Sequence, residues 1–334
     1  MDSAKMPHTT LQITVRGRLA IMGLQWVIAI LILFQQGDYP DPLIIEHEGQ
    51  ELFEMSRSQY SDSNAGVPLI DPDKLEVFMD ELGKRVLKLP VNAALDGSGR
   101  IVSEQTGRKL DRDAFTVQFH RFVFEGGFAR LETPLTTTYA KVDSELLSTI
   151  KGKRIGHYAT YYNPNNKNRS HNVSLAAKAI NNYVVFPGDK FSFNEVVGKR
   201  TTEKGYLRAP VIVRGEMSED IGGGICQISS TLFNAADRAG LQIVQRYTHS
   251  RNVKYVPHGR DATVSWDGPD FVFQNNYSEP VLIRAYASGG QASIVICSSE
   301  EVNEKKRQVP SASKKLPEEA KSEMDAGGLE EHKD

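Results

Sequence analysis

The chain has 334 residues, 40% hydrophobic and 25% charged, which is room for two modest domains with buried cores plus flanking segments. A net charge of -2 excludes the basic footprint that nucleic-acid binding needs, so no nucleic-acid partner is expected. With Cys226 and Cys297 as the only cysteines, a disulfide-built scaffold and a CxxC metal site are excluded too, and no metal site is expected.

Lys5, Arg16 and Arg18 precede the run Leu19 to Phe34, which carries no charge and a single strongly polar residue, Gln25. The run is short for a spanning helix, which needs about 17–25 residues, but Arg16 and Arg18 extend its reach by snorkelling. The following FQQGDYPD has no A-x-A-like cleavage site, so an uncleaved signal anchor is expected over 19–36 rather than a cleaved signal peptide. Asp38, Asp41, Glu46 and Glu48 follow it. The positive flank places residues 1–18 in the cytoplasm and everything beyond the anchor on the outer side of the cell membrane, as a single-pass protein. Residues 37–71, rich in acids, serines and prolines with weak periodicity, read as a stalk.

The stretch Asp71 to Leu89 has helical spacing. Leu75, Phe78, Met79, Leu82, Val86 and Leu89 fall at steps of three and four, with Asp71 or Asp73 as N-cap, and core packing is the reading for that stripe. Two short strands around Asp96-Gly97-Ser98-Gly99 and a helix over Asp111 to Phe124 complete a small α+β unit over 72–149. From 150 to 299 the texture changes. Short β-rich runs separated by Gly, Pro and Asn are interrupted by helical stretches at Asn172–Tyr183 and Cys226–Gly240, which predicts an α+β domain of mostly antiparallel strands with the cysteine helix packed on them. Residues 300–334 lack aromatics and periodicity and are expected to be disordered.

IGGGICQISST (Ile221–Thr231) carries the most chemical information. Three glycines lead into a helix that begins near Cys226 and buries Ile228, Leu232, Ala235, Ala236 and Ala239. A thiol at a helix N-terminus meets the positive end of the macrodipole and unpaired N–H groups, and both favour thiolate. Gly223 and Gly224 let backbone amides approach a substrate carbonyl, as an oxyanion hole requires. A lone cysteine is ordinarily a small buried hydrophobe; the glycine approach and the helix start tip Cys226 toward nucleophile. Cys297, in the apolar strand QASIVICS, reads as core, and a Cys226–Cys297 disulfide remains the alternative. A cysteine nucleophile wants a base. Of the eight histidines, His249 and His258 are best placed, in YTHSRNVKYVPHGRDATV just after the cysteine helix. Asp261 either orients an imidazole or makes its turn through its own side chain. Arg251 and Arg260 suit an anionic carboxylate, although exposed arginines are common.

GDKFSFNEVVGKRTTEKGY, APVIVRG, GGGICQISSTLFNAA, HSRNVKYVPHGRDATV and the close FVFQNN…PVLIRA together resemble the VanW domain, from about Ile150 to Ser298. Upstream, PVNA (Pro90–Ala93), SEQTGRKLDRDAF and LETP…VDSELL resemble the peptidoglycan-binding domain that precedes several wall cross-linking domains, with a structural spacer as the alternative. The VanW resemblance implies cell-wall biology of Gram-positive bacteria and an association with vancomycin resistance. It also implies a distinct class of L,D-transpeptidase whose catalytic cysteine maps onto Cys226, with His249 carried over as base. His258 departs from the pattern, since many relatives have another residue before the Gly-x-Asp-Ala-Thr turn. The implied chemistry is acyl transfer between peptidoglycan stem peptides through a cysteine thioester, giving 3-3 cross-links without metal or organic cofactor. Two other functions stay open: a cysteine hydrolase of stem peptides, and a non-catalytic wall-binding or glycopeptide-resistance accessory protein.

Overall fold

A computed structural model describes residues 42–56, 59–62, 69–125, 127, 129–213 and 216–316. The expected cytoplasmic segment (1–18) and anchor (19–36) lie outside these residues. Among the described residues no helix is long and apolar enough to cross a membrane. The chain divides into two compact units. One comprises Met1–Pro90 and Thr106–Thr138, the other Val91–Gln105 and Tyr139–Asp334.

In the first unit, strands Pro42–His47 and Gln50–Ser56 form an antiparallel hairpin, and Ala129–Glu132 adds to the first of them in parallel. Helix α1 (Pro72–Val86) is capped by Asp71, whose carboxylate accepts from the N–H groups of Asp73 and Lys74. It buries Leu75, Phe78, Met79, Leu82 and Val86; Leu89 lies past its end and is 70% exposed. Helix α2 (Arg112–Glu125) adds Phe115, Phe119, Phe122 and Val123 to the same core. Part of the expected stalk is therefore folded. Leu43, Ile45 and Met55 are buried among the helix side chains, because alternate positions of the hairpin share one face. The acids between them belong to the other face and to the turn at Glu48-Gly49, where both residues have positive φ.

The second unit is built on a four-stranded antiparallel sheet in the order Lys153–Tyr161, Gln291–Ser298, Val281–Ser288, Tyr183–Val185. Its helices are α3 (Ser144–Ile150), α4 (Lys167–Ile180), α5 (Phe193–Val197) and α6 (Ile225–Arg238). The period of two sorts the central strands. Val281, Ile283, Ala285, Ala292, Ile294 and Ile296 pack with α4 and α6, while Leu282, Val295 and Cys297 pack with Leu147 and Ile150 of α3 and with Ala93 and Leu95. The hairpin Ala94–Leu95/Ile101–Val102 and α3 thus belong to this unit, so 72–149 is not one piece. A second, three-stranded antiparallel sheet joins Lys190–Ser192, Val272–Gln274 and Gln242–Gln245. The expectation of a mostly antiparallel α+β domain agrees with this architecture.

The expected disorder after Glu300 is corrected as far as residue 316. Val302 and Val309 are buried in the main core, and the Tyr158 hydroxyl donates to Pro310 O at 2.9 Å. Few apolar groups suffice here because Lys153 and Arg238 supply donors to the segment's carbonyls.

Candidate active site

The hairpin Arg208–Val213/Glu216–Ile221 delivers the chain to Gly222 and the start of α6. Gly224 is the N-cap residue with φ 103°, and no side chain caps the helix. A Cβ on Gly223 would stand 2.4 Å from Ala209 O, so the backbone passes too close there for any side chain. Asn172 of α4, fully buried, holds the glycine turn. Its Nδ2 donates to Gly223 O (3.0 Å) and Leu207 O (2.8 Å), and its Oδ1 accepts from Leu207 N–H (2.8 Å). Among the described residues, the N–H groups of Gly224 and Cys226 find no acceptor. The uncapped end therefore presents free donors and positive potential beside Cys226.

The polar side of α6 explains the rest of the QISST run. Ser230 Oγ donates to Cys226 O (2.7 Å) and accepts from Ala262 N–H (2.8 Å). Asn234 Nδ2 donates to Arg260 O at 2.7 Å, and Asn234 Oδ1 accepts from Arg260 Nε at 2.8 Å. Ser230 and Asn234 are completely buried and fully used, which fixes residues 260–264 alongside the first turns of the helix. Cys226 Sγ consequently lies 3.5 Å from Val264 O and 3.8 Å from Thr263 Oγ1. The N–H of Thr263 donates to Tyr247 O at 2.8 Å, which ties in the segment bearing His249. His249 donates its backbone N–H and its Nδ1–H to Asp261 Oδ2, each at 2.6 Å. With Nδ1 engaged, Nε2 is left for the thiol.

The three groups shift one another's protonation. Burial pushes the Cys226 thiol up, but the influence of the neighbouring His249 outweighs it, and the net pKa is lowered. Burial pushes His249 down; Asp261 first and Cys226 next reverse that and raise it to about 9. Burial pushes Asp261 up, and the two hydrogen bonds from His249 bring it below the ordinary carboxylate value. Asp261, His249 and Cys226 are thus each drawn toward their charged forms by their neighbours. Cys226 is partly exposed, as a nucleophile must be. Cys297 is buried, its pKa is raised by that burial, and it packs in a different cluster; both thiols are free.

The structure thus brings Cys226, His249 and Asp261 together, with Gly223 and Gly224 leading in. His258 and Arg251 are exposed and make no hydrogen bond or ion pair with the three. Arg260 is engaged structurally. It pairs with Asp237 at 2.7 Å and lies 4.6 Å from the centre of the Phe233 ring. Thr263 and the Val264 carbonyl were missed from sequence, as were Arg169 and Arg200 near the glycine turn. Thr263 sits inside the HGRDATV run, but only the pairing of that run with α6 reveals its contact. The two arginines carry no local motif.

The family model described as "VanW like protein" matches residues 168–297. The chain is 48% identical over 298 residues to the uncharacterized protein YoaR of Bacillus subtilis (strain 168), covering 89% of this chain and 98% of that protein. It is 32% identical over 117 residues to the vancomycin B-type resistance protein VanW of Enterococcus faecalis (strain ATCC 700802 / V583), covering 33% of this chain and 42% of that protein. No solved structure matches.

Proposed function

Because the chain belongs to the VanW family, we propose that it is a wall-facing cysteine acyl transferase, an L,D-transpeptidase that forms 3-3 cross-links in peptidoglycan. The observation that carries this reading is the Nδ1–H of His249 given to the Asp261 carboxylate, two residues before the Thr263 and Val264 that Cys226 Sγ touches. The relative's name as a vancomycin resistance protein supports a wall role, and in this reading residues 19–36 anchor the chain with its folded units outside.

In the proposed reaction the Cys226 thiolate attacks the carbonyl carbon of the third residue of a donor stem. The N–H groups of Gly224 and Cys226 receive the developing oxyanion, with the Gly223 turn placing them. The bond to the fourth residue breaks, its amine takes the proton from His249 Nε2, and a thioester remains. The side-chain amine of an acceptor stem then attacks the thioester. Neutral His249 takes the surplus proton, the amide forms, and Cys226 leaves as thiolate.

The test incubates the full-length protein with disaccharide tetrapeptides and follows products and protein mass. A 3-3 dimer with release of the terminal residue, plus an acyl adduct on Cys226, is expected, and Cys226→Ala loses both. Tripeptide monomers alone make the protein a hydrolase. Absence of any adduct makes it a non-catalytic accessory protein.

A further inference from the structure

Two arginines at the glycine turn form no ion pair among the described residues. Arg169 Nη2 donates to Gln227 Oε1 at 2.8 Å, and Arg200 Nη2 donates to Asn194 Oδ1 at 2.8 Å. In each, Nη1 is buried with no hydrogen-bond partner, and neither forms an ion pair with a carboxylate among the described residues. Other arginines of the same unit are spent on carboxylates or backbone carbonyls, as Arg260, Arg307, Arg238 and Arg246 are. A guanidinium cannot shed its proton to escape this, so a buried, unpaired one is costly unless an acceptor arrives.

Their position says which acceptor. Arg200 and Arg169 pack against the glycine turn that feeds Cys226. A Cβ on Gly222 would stand 3.2 Å from Arg200 Cβ, and one on Gly224 would stand 2.9 Å from Arg169 Cγ. Gln227, the amide partner of Arg169, is the residue after the nucleophile. Burial lowers the Arg200 pKa, and Cys226 first, then Tyr206 and Asp270, oppose that, so Arg200 is an electrostatic neighbour of the nucleophile. Each residue as a whole is partly exposed, Nη1 being its covered nitrogen.

We infer that Arg169 and Arg200 form a subsite for the free carboxylate that ends the donor peptide one residue beyond the bond cleaved. This rests on the stem-peptide reading above and narrows it. A carboxylate at that place in the peptide is separated from the attacked carbonyl by a single residue, about 3.8 Å of chain. It would supply the missing acceptors, with the bidentate geometry guanidinium favours. A donor with a further residue has a neutral amide there and leaves the guanidinium charges unpaired. The site therefore selects stems ending in the fourth residue over those with a fifth.

The experiment has two arms. In the first, the full-length Cys226→Ala protein is titrated calorimetrically with a disaccharide tetrapeptide bearing either its terminal carboxylate or the isosteric amide. The acid should bind about 10- to 100-fold more tightly, the usual range for a hydrogen-bonded charge. Adding Arg169→Gln and Arg200→Gln should bring the ratio near one. Equal binding of acid and amide, or no binding of either, overturns the subsite, and that comparison needs no arginine variant to fold. In the second arm the unmodified protein is examined for the Cys226 thioester with both donors. Acid-selective binding without a thioester upholds the subsite and removes the transferase. A thioester formed equally from acid and amide does the reverse.

Discussion

His249 is held by Asp261 through one oxygen twice over, its backbone N–H and its Nδ1–H both reaching Oδ2 at 2.6 Å. The first bond fixes where the loop stands and the second fixes how the ring is turned. Asp261 is itself fixed, because its carbonyl accepts from Arg246 Nη1 at 2.8 Å and the neighbouring Ala262 N–H is held by Ser230. The helix that supplies the nucleophile therefore also positions the residue that orients the base.

Replacing Asp261 with Asn keeps an oxygen that accepts Nδ1–H but removes the charge. His249 should then titrate below its present value of about 9, and the Cys226 thiolate should lose its stabilising partner. Acyl transfer should fall about 10²–10⁴-fold, the range for general acid–base catalysis. Ring proton shifts followed against pH check the His249 titration directly. An unshifted titration with full activity would show that the carboxylate matters for neither charge nor orientation.

Alkylation and transfer should part company at high pH. Alkylation needs only the thiolate, so Cys226 should react at lower pH than an ordinary thiol and keep its rate as pH rises. Transfer also needs a proton on His249 for the leaving amine, so its rate should decline as pH climbs through about 9. Cys297, whose thiol burial pushes up, should label only after unfolding. Peptide mapping after timed alkylation separates the two thiols. Labelling of Cys297 before Cys226 would sink the nucleophile assignment, and His249→Ala should move the Cys226 profile to higher pH.

Much of this site was legible because its parts are local. The Gly-Gly-Gly run, the helix beginning beside Cys226 and the buried stripe Ile228, Leu232, Ala235, Ala236 are all written in consecutive residues. Asp71 as N-cap and the stripe of α1 were readable for the same reason. Contacts made by topology were not. Arg169 and Arg200 come to the glycine turn from α4 and from the chain after α5, at separations no motif spans. The helix expected to begin at Asn172 begins at Lys167, capped by Asn166, because a lysine- and arginine-rich first turn hides its period. Leu43 and Ile45 were masked by the acids around them, since composition averages over two faces that a hairpin separates.

Gly224→Ala tests whether the turn before the nucleophile has to be glycine. With φ at 103°, an L side chain is strained there whatever the space, and its Cβ would stand 2.9 Å from Arg169 Cγ. A loss of about 1–3 kcal/mol is expected from the backbone alone. The free N–H groups at the helix start would shift with it, so acyl adduct formation should fall more than stability does. Thermal unfolding and adduct mass measured on the same preparation give both quantities. A variant of unchanged melting temperature and unchanged adduct rate would remove the turn from the oxyanion argument.

Truncation after Ser299 should destabilise the second unit. It uncovers the core surface that Val302 and Val309 now bury, each valine being worth about 1.5–3 kcal/mol before the cost of ordering the segment. It also removes Arg307, which pairs with Asp237 at 2.8 Å, and the carbonyls that accept from Tyr158 and Arg238. Asp237 keeps Arg260 as its remaining ion-pair partner, so the carboxylate stays paired and the loss should be chiefly apolar. The contrast between two smaller changes isolates this. Val309→Ala should cost on the order of 1–2 kcal/mol by opening a void in the main core. Lys306→Ala, an exposed lysine whose pair with Glu304 is within the segment, should cost less than about 1 kcal/mol. Chemical denaturation of the full-length chain and the three variants ranks them. If truncation and Val309→Ala both leave the midpoint where it was, the valines only rest on the core and do not help hold it.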